Sequence, residues 1–260
     1  MHYDYSLPAF SARFIPVWRR NFLVWKKLAG SSILGNIADP MIALVAFGYG
    51  LGSLLPTVDG IPYIQFLAAG TVCMSTMNAA TFESLYSAFS RMHIQRTWDG
   101  IMNAPVALED VVLGELTWAA SKAFLSGLAI MIVVWIMGLA GGWQSVLVLG
   151  VVVLIGTAFS AIGLIVNALA KAYDFFTYYF TLVVTPMAFI SGVFFPVAQL
   201  PGWLQGVAQL MPLAHAVALA RPLLLGQWPT DALLHVAVLI AYTVVCAYIA
   251  IVLTRRRLLT

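Results

Sequence analysis

Side chains able to carry acid–base, nucleophilic or metal chemistry are sparse in this sequence, and their spacing suits none of it. Ten acidic residues and four histidines stand in 260 positions. His2, His93, His215 and His235 are far apart and form no HExxH or other metal-ligand spacing. The four lysines, Lys26, Lys27, Lys122 and Lys171, all lack a preceding glycine, so no GxxxxGKS/T loop is present to cradle a phosphate. A GxSxG nucleophile turn is also missing. No two carboxylates share an apolar segment where they could act as acid and base. Glu109 and Asp110 are adjacent, about 100° apart on a helix, and read as groups solvating a helix end. This chain therefore carries no ATP-hydrolysing loop of its own and no metal cluster.

One long polar stretch remains, Glu83 to Lys122. It holds Asp99, Glu109, Asp110 and Glu115, opens on Glu83, and includes Arg91 and Arg96. The rest of the chain is apolar. Overall it is 62% hydrophobic and 9% charged, where a soluble domain carries about 25% charged residues. An integral all-α membrane protein follows. No cleavable signal peptide is visible, because Arg and Lys interrupt the first thirty residues. Cys73 and Cys246 lie in apolar segments and read as packing residues, not a disulfide.

The elements that must position the polar stretch follow from apolar length. A crossing needs about 20 apolar residues. Six such spans can be drawn, at about 33–55, 61–82, 119–140, 145–169, 175–195 and 233–254. Asp39-Pro40 reads as an N-cap with proline in the first turn, and Gly141-Gly142-Trp143-Gln144 as the turn between spans three and four. Residues 83–118 form the loop between spans two and three, with 83–95 and 106–122 reading as extensions of those spans. Gln65, Thr71, Ser75, Thr76 and Asn78 in span two read as helix–helix contacts. Gly48xxxGly52 and Gly138xxxGly142 read as close helix packing.

Residues 1–30 form a separate N-terminal region with an amphipathic helix over 8–30. At 100° per residue, Phe14, Trp18, Phe22, Trp25 and Ala29 share one arc, and Arg13, Arg19, Arg20, Lys26 and Lys27 lie opposite. That pattern suits a helix in the headgroup region of an anionic leaflet. Positive charge then sets orientation. In a six-span chain all Lys and Arg except Arg221 fall on one side, so both termini and the 83–118 loop are cytoplasmic. On the exterior side, 196–231 is too broken by Pro196, Pro201, Gly202 and Pro212 for a full crossing. It reads as short re-entrant helices anchored by Trp203 and Trp228.

Two aromatic features lie outside this scheme. Phe175, Phe176, Tyr178 and Tyr179 open span five, as an aromatic belt or as a surface for a substrate's sugar rings or acyl chain. Trp98 sits on a short helix ended before Pro105, where it either projects into a partner's groove or folds back on the membrane. Asp39, Glu83, Lys122 and Lys171 lie near span ends, where snorkelling or a water-exposed face explains them. Without a buried ionisable group, ion coupling is disfavoured.

In this order these features resemble the permease subunit of ABC-2 type transporters. Phe82-Glu83, the run RTWDGIMNAPV at 96–106, Gly114-Glu115 and the exterior FFPV…LPGWL…MPL…Arg221…Leu225-Gly226 carry the likeness. The segment VWRRNFLVWKKLAGSSILGNIADP and the length resemble, within it, the nodulation-factor (lipo-chitooligosaccharide) exporter permeases. The resemblance implies a 31–260 ABC-2 type domain and a homodimer bound to two copies of a separate ABC ATPase subunit that holds ATP and Mg. It implies that Thr97, Trp98, Asp99, Gly100, Ile101, Met102, Asn103 and Ala104 form the coupling helix contacting that ATPase. The setting would be a bacterial inner membrane, and the cargo an amphipathic glycolipid, lipo-oligosaccharide or polysaccharide-like molecule moved outward by alternating access. A permease for multiple drugs or small hydrophobic compounds is the alternative within the family. A standalone membrane lipid-modifying enzyme would draw on Asp59, Asp231 and His215, and an ion-coupled carrier on a proton gradient alone.

Overall fold

The computed structural model describes Pro8 and residues 11–259, with the backbone alone for Ser31, Ile33, Asp39 and Leu259. It is almost wholly helical. In chain order the helices are α1 (Phe14–Lys26), α2 (Ala29–Gly50), α3 (Tyr63–Phe82), α4 (Thr97–Met102) and α5 (Leu108–Ile136). Then come α6 (Val148–Leu169), α7 (Asp174–Tyr179), α8 (Thr185–Ile190), α9 (Gly202–Ala208), α10 (Pro212–Leu224) and α11 (Ala232–Leu259). His2, Ala9 and Phe10 lie outside the described residues. The expected 8–30 helix is shorter than drawn, running over Phe14–Lys26, with residues 11–13 not helical.

Among the described residues, four helical segments are long and apolar enough to cross a membrane: Leu34–Ser53, Leu108–Ile136, Trp143–Leu169 and Ala232–Leu258. The count rises to five if α9 and α10, bent by 87°, make one broken span. Length and composition thus give four or five candidate crossings where six were expected. The shortfall has two physical sources. α7 and α8 with the π turn between them form only a short apolar run, Asp174–Ile190. α3 is long, but the polar residues noted above dilute it.

α3 can be polar because it is the central helix. Nearly all of it from Phe66 to Thr81 is buried, and it packs against α2, α5, α6 and α10. It therefore has little surface that must be apolar for lipid. Ser75 Oγ and Ser126 Oγ of α5 lie 3.2 Å apart, while Thr71 and Thr76 donate back to Leu67 and Val72 carbonyls. Such bonds satisfy polar groups without needing water.

Several local expectations are corrected. α2 starts at Ala29 and carries Pro40 inside it, so Asp39-Pro40 does not begin a helix; apolar residues on both sides favour continuing, and membrane helices tolerate internal proline. Gly138 (φ +68°) caps α5, its N–H reaching Trp135 O at 3.0 Å while Leu139 N–H reaches Val134 O at 3.1 Å. It is a helix stop, not a packing motif. The 56–62 connection is a two-residue hairpin, Thr57–Val58 against Ile61–Pro62. Asp59 and Gly60 both have positive φ there, as its turn requires.

The described chain termini meet at one end of the bundle, here called the basic end. Ser11 N–H and Oγ donate to Asp110 at 3.1 and 2.8 Å, and Arg255 Nε donates to Glu109 at 2.7 Å. Asp110 is 1% exposed, so these two acids tie down the termini and do not simply solvate a helix end. α1 crosses α5 at Gly114. A Cβ there would stand 2.6 Å from Val17 Cβ and 3.1 Å from Phe14 O. Gly114→Val is therefore expected to push α1 off α5 at about 1–3 kcal/mol, read as a lower melting temperature and faster proteolysis within residues 1–30.

Candidate functional site

The 83–118 loop folds as a continuation of its neighbours. α3 runs on through two π-helical turns, Glu83–Ser87 and Ser90–Ile94. Residues eight apart stand about 80° out of line on a straight α-helix, and wider π turns remove part of that offset. Glu83 and Arg91 so come to share a face. Arg96 takes a left-handed conformation (φ 51°), turning the chain into α4 at Thr97. On α5, Glu115, Trp118 and Lys122 recur at helical spacing and present one face.

These residues close into a buried network. The Arg91 guanidinium donates from Nε to Glu115 Oε1 at 2.9 Å and from Nη2 to Glu83 Oε1 at 2.9 Å. Lys122 Nζ donates to Glu83 Oε2 at 2.7 Å. The indoles of Trp118 and Trp98 complete it, donating to Glu83 Oε1 at 2.7 Å and Glu115 Oε1 at 3.1 Å. Glu83 and Glu115 are 3% and 1% exposed. Two carboxylates face two cations, so the charges cancel and nearly every lone pair is used. Burial raises the Glu83 pKa, and Arg91 and Lys122 more than reverse that, holding it down at about 2.

The sign of the pH dependence follows. A carboxylate whose folded pKa lies below its unfolded one adds stability that is complete above the unfolded value and lost as pH falls through the folded one. Glu83's contribution should therefore be level through neutral pH and fall between the ordinary carboxylate range and about 2. Unfolding midpoints of the detergent-solubilised chain across an acid series, compared with Glu83→Gln, check this: the variant should lose part of the acid slope.

The network corrects one expectation and decides an open one. Glu83 and Lys122 are not snorkelling, and Trp98, which the sequence left open between a partner's groove and the membrane face, turns inside the protein. Trp98 is 1% exposed because its indole is the donor that Glu115 needs inside. What α4 and the two residues after it turn outward is Gly100, Asn103 and Ala104, which are exposed, with Asp99 half-exposed and 3.8 Å from Arg96. Thr97, Ile101 and Met102 are half-buried. Trp98→Phe keeps an aromatic ring but removes the donor and leaves a small void, and is expected to cost about 1–3 kcal/mol, measured by denaturant unfolding.

Further ties hold the loop. Arg13 donates to Pro105 O. Arg257 Nη1 donates to Asn167 O and Ala168 O at 2.8 and 2.9 Å, capping α6. Asn167 Nδ2 donates to Ser84 O at 2.8 Å.

The N-terminal helix shares its faces with this site. Trp18 Nε1 donates to Ser121 Oγ at 3.0 Å, and Phe22 and Trp25 pack on the Trp118 ring at 6.3 and 5.9 Å. Part of its aromatic arc thus rests on α5. Arg19, Lys26 and Lys27 remain exposed, while Arg20 is half-buried.

Of the span-five aromatics, Phe176 is fully buried and packs edge-on against Tyr86 and Phe89, both at 5.2 Å. That removes it from any open surface. Tyr179 is half-buried, and Phe175 and Tyr178 are exposed. They line a shallow hollow with Leu169, Lys171 and Ala172.

At the opposite end His215 Nδ1 lies 2.7 Å from His235 Nδ1, and its Nε2 2.8 Å from Gln209 O. Asp59 and Asp231 hold positive-φ turn positions. Among the described residues no group of three His, Cys, Asp or Glu could hold a metal ion. Arg221, which charge counting left as a lone exterior cation, turns inward over the Phe66 ring at 3.6 Å and donates to Gly192 O.

The family model for the ABC-2 type transporter matches residues 13–225, which include the whole network and α4. The chain belongs to the ABC-2 type transporter family. It is 48% identical over 258 residues to nodulation protein J of Rhizobium meliloti (strain 1021), covering 99% of this chain and 98% of that protein. Nodulation protein J of Bradyrhizobium diazoefficiens is 47% identical over 258 residues, with the same shares. More distant is the inner membrane transport permease YadH of Escherichia coli (strain K12), 23% identical over 204 residues and 78% of each chain. The ABC-2 chain is thus a multi-pass membrane permease of the ABC exporter kind, a transport subunit whose family works in general with an ABC ATPase.

Proposed function

We propose that this ABC-2 chain is the permease of an ATP-driven exporter that moves an amphipathic lipo-oligosaccharide outward across the inner membrane. Two copies would pair, each bound to one separate ATPase that supplies ATP and Mg. α3 and the α7–α8 run would complete six crossings with both termini cytoplasmic, and α9–α10 would form the exterior re-entrant segment. α4 is the coupling helix.

One observation supports this most. The buried network fastens α4 to both α3 and α5 through charge-assisted bonds from Trp98, Arg91 and Glu115. A push on α4 is then not absorbed locally; it moves two bundle helices together. ATP binding can bias an alternating-access equilibrium only if the two states bind the ATPase differently, and a rigid lever provides that difference. Phe175 and Tyr178, the exposed aromatics, remain the surface suited to stacking on sugar rings.

The test is export from inverted vesicles holding the chain with its ATPase. ATP-dependent uptake of an N-acylated chitooligosaccharide, absent without the ATPase, is expected. Uptake of small hydrophobic dyes in place of it supports the drug-exporter reading. Transport driven by a proton gradient alone contradicts the proposal.

A further inference from the structure

At the basic end, between α1, the start of α2, the π-helical extension of α3 and α5, lies a cavity of about 420 Å³. Four charged side chains line it: Arg20, Arg91, Lys122 and Glu83. Arg91 and Lys122 are committed to the buried carboxylates. Arg20 is not. Its partners are neutral, Asn21 Oδ1 at 3.0 Å and Thr97 Oγ1 at 3.4 Å, and among the described residues no carboxylate stands within ion-pair distance of it. Burial lowers its pKa, Arg91 adds to that, and Glu115 offsets part. An anion beside Arg20 would relieve the deficit.

A second observation points the same way. Asn21 is 3% exposed, lines the cavity, and its Nδ2 has no acceptor. A buried donor without a partner costs free energy, so the cavity offers a cation and an orphan donor with no protein oxygen to match. The rim is apolar, with Val24 exposed on α1 and Leu28 exposed just before α2. On the neighbouring side of α1 an apolar groove of about 500 Å³ runs along Phe22, Phe124 and Leu125. Trp118 borders both cavities. A polar, cation-lined cavity thus adjoins a greasy groove across a single ring.

We propose that this cavity binds the phosphate head of an anionic phospholipid, held by Arg20 and Asn21 Nδ2, with an acyl chain lying in the groove beside Trp118. The site is independent of the transport reading, since it needs neither ATP nor a partner chain. A bound lipid here would brace α1 against the helix that carries Glu115 and Lys122.

Native mass spectrometry of the full chain, released from phosphatidylglycerol nanodiscs, tests it by counting retained lipid. The wild type should hold phosphatidylglycerol in preference to phosphatidylcholine. Arg20→Gln should lower retention at least tenfold and Asn21→Leu several-fold. Arg20→Lys should keep most of it, as should Arg19→Gln, an equal charge change on the exposed side. Dihexanoyl-phosphatidylglycerol should compete and inorganic phosphate should not. Equal losses for Arg19→Gln and Arg20→Gln would reduce the effect to diffuse surface attraction and overturn the site. Competition by phosphate alone, or by an uncharged acylated oligosaccharide as well as by the short-chain lipid, would overturn the assignment to phospholipid. Should Arg20→Gln aggregate, the Arg20→Lys and competition results decide the matter without it.

Discussion

Arg91→Met is expected to destabilise the chain by about 3–5 kcal/mol, the range for removing one partner of a buried ion pair. Arg91 stands between Glu83 and Glu115, which are 3% and 1% exposed. Removing its guanidinium leaves Lys122 and one indole on Glu83, and on Glu115 only the Trp98 indole. Two like charges then face each other in a buried site. Part of the loss should return when the carboxylate is neutralised too, so the double variant Arg91→Met with Glu115→Gln should be more stable than Arg91→Met alone. Chemical unfolding in detergent micelles gives both numbers. Equal stability of wild type and Arg91→Met would mean that the network is wet and contributes nothing.

Gly100→Phe is expected to separate stability from function. A Cβ at Gly100 meets nothing within 4 Å, and the residue is exposed in the middle of α4. Gly carries a helix penalty of about 1 kcal/mol against Ala, of which Phe recovers a part, so the melting temperature should hold. A bulky ring on the outward face of α4 would nonetheless keep an ATPase groove from closing on it. ATP-driven transport should fall at least tenfold, with the chain still folded and membrane-embedded. Asp99→Arg should act in the same direction through charge, since Asp99 is half-exposed beside Arg96. Unchanged transport in both would remove α4 from the coupling role.

Four of the expected apolar runs were legible in the sequence as long apolar helices, as were the glycine turn before Trp143 and a short helix beginning near Thr97. What escaped was mostly pairing across distance. Glu83, Arg91, Glu115 and Lys122 are separated by up to a full loop in sequence, so no local period links them, and each alone resembles a solvated charge at a span end. A signal was present nonetheless. Glu115, Trp118 and Lys122 fall on one face of a helix, and the same stretch supplies unlike charges enough to pair. Trp98 was ambiguous for a different reason: a six-residue helix is too short for periodicity to say which way its aromatic points. α3 was drawn as a span from its lack of charge, and its buried polar side chains fit a central helix packed against four others.

The central claim is that α4 receives the ATPase's motion and passes it inward through the buried network. Cysteine cross-linking tests it most directly. With the ATPase co-expressed, Gly100→Cys and Asn103→Cys should each cross-link to it through a short bifunctional thiol–amine reagent, more strongly after ATP binding than without nucleotide. Trp203→Cys, exposed at the opposite end, should give no product. A complex that forms yet yields cross-links from neither Gly100→Cys nor Asn103→Cys would contradict the account.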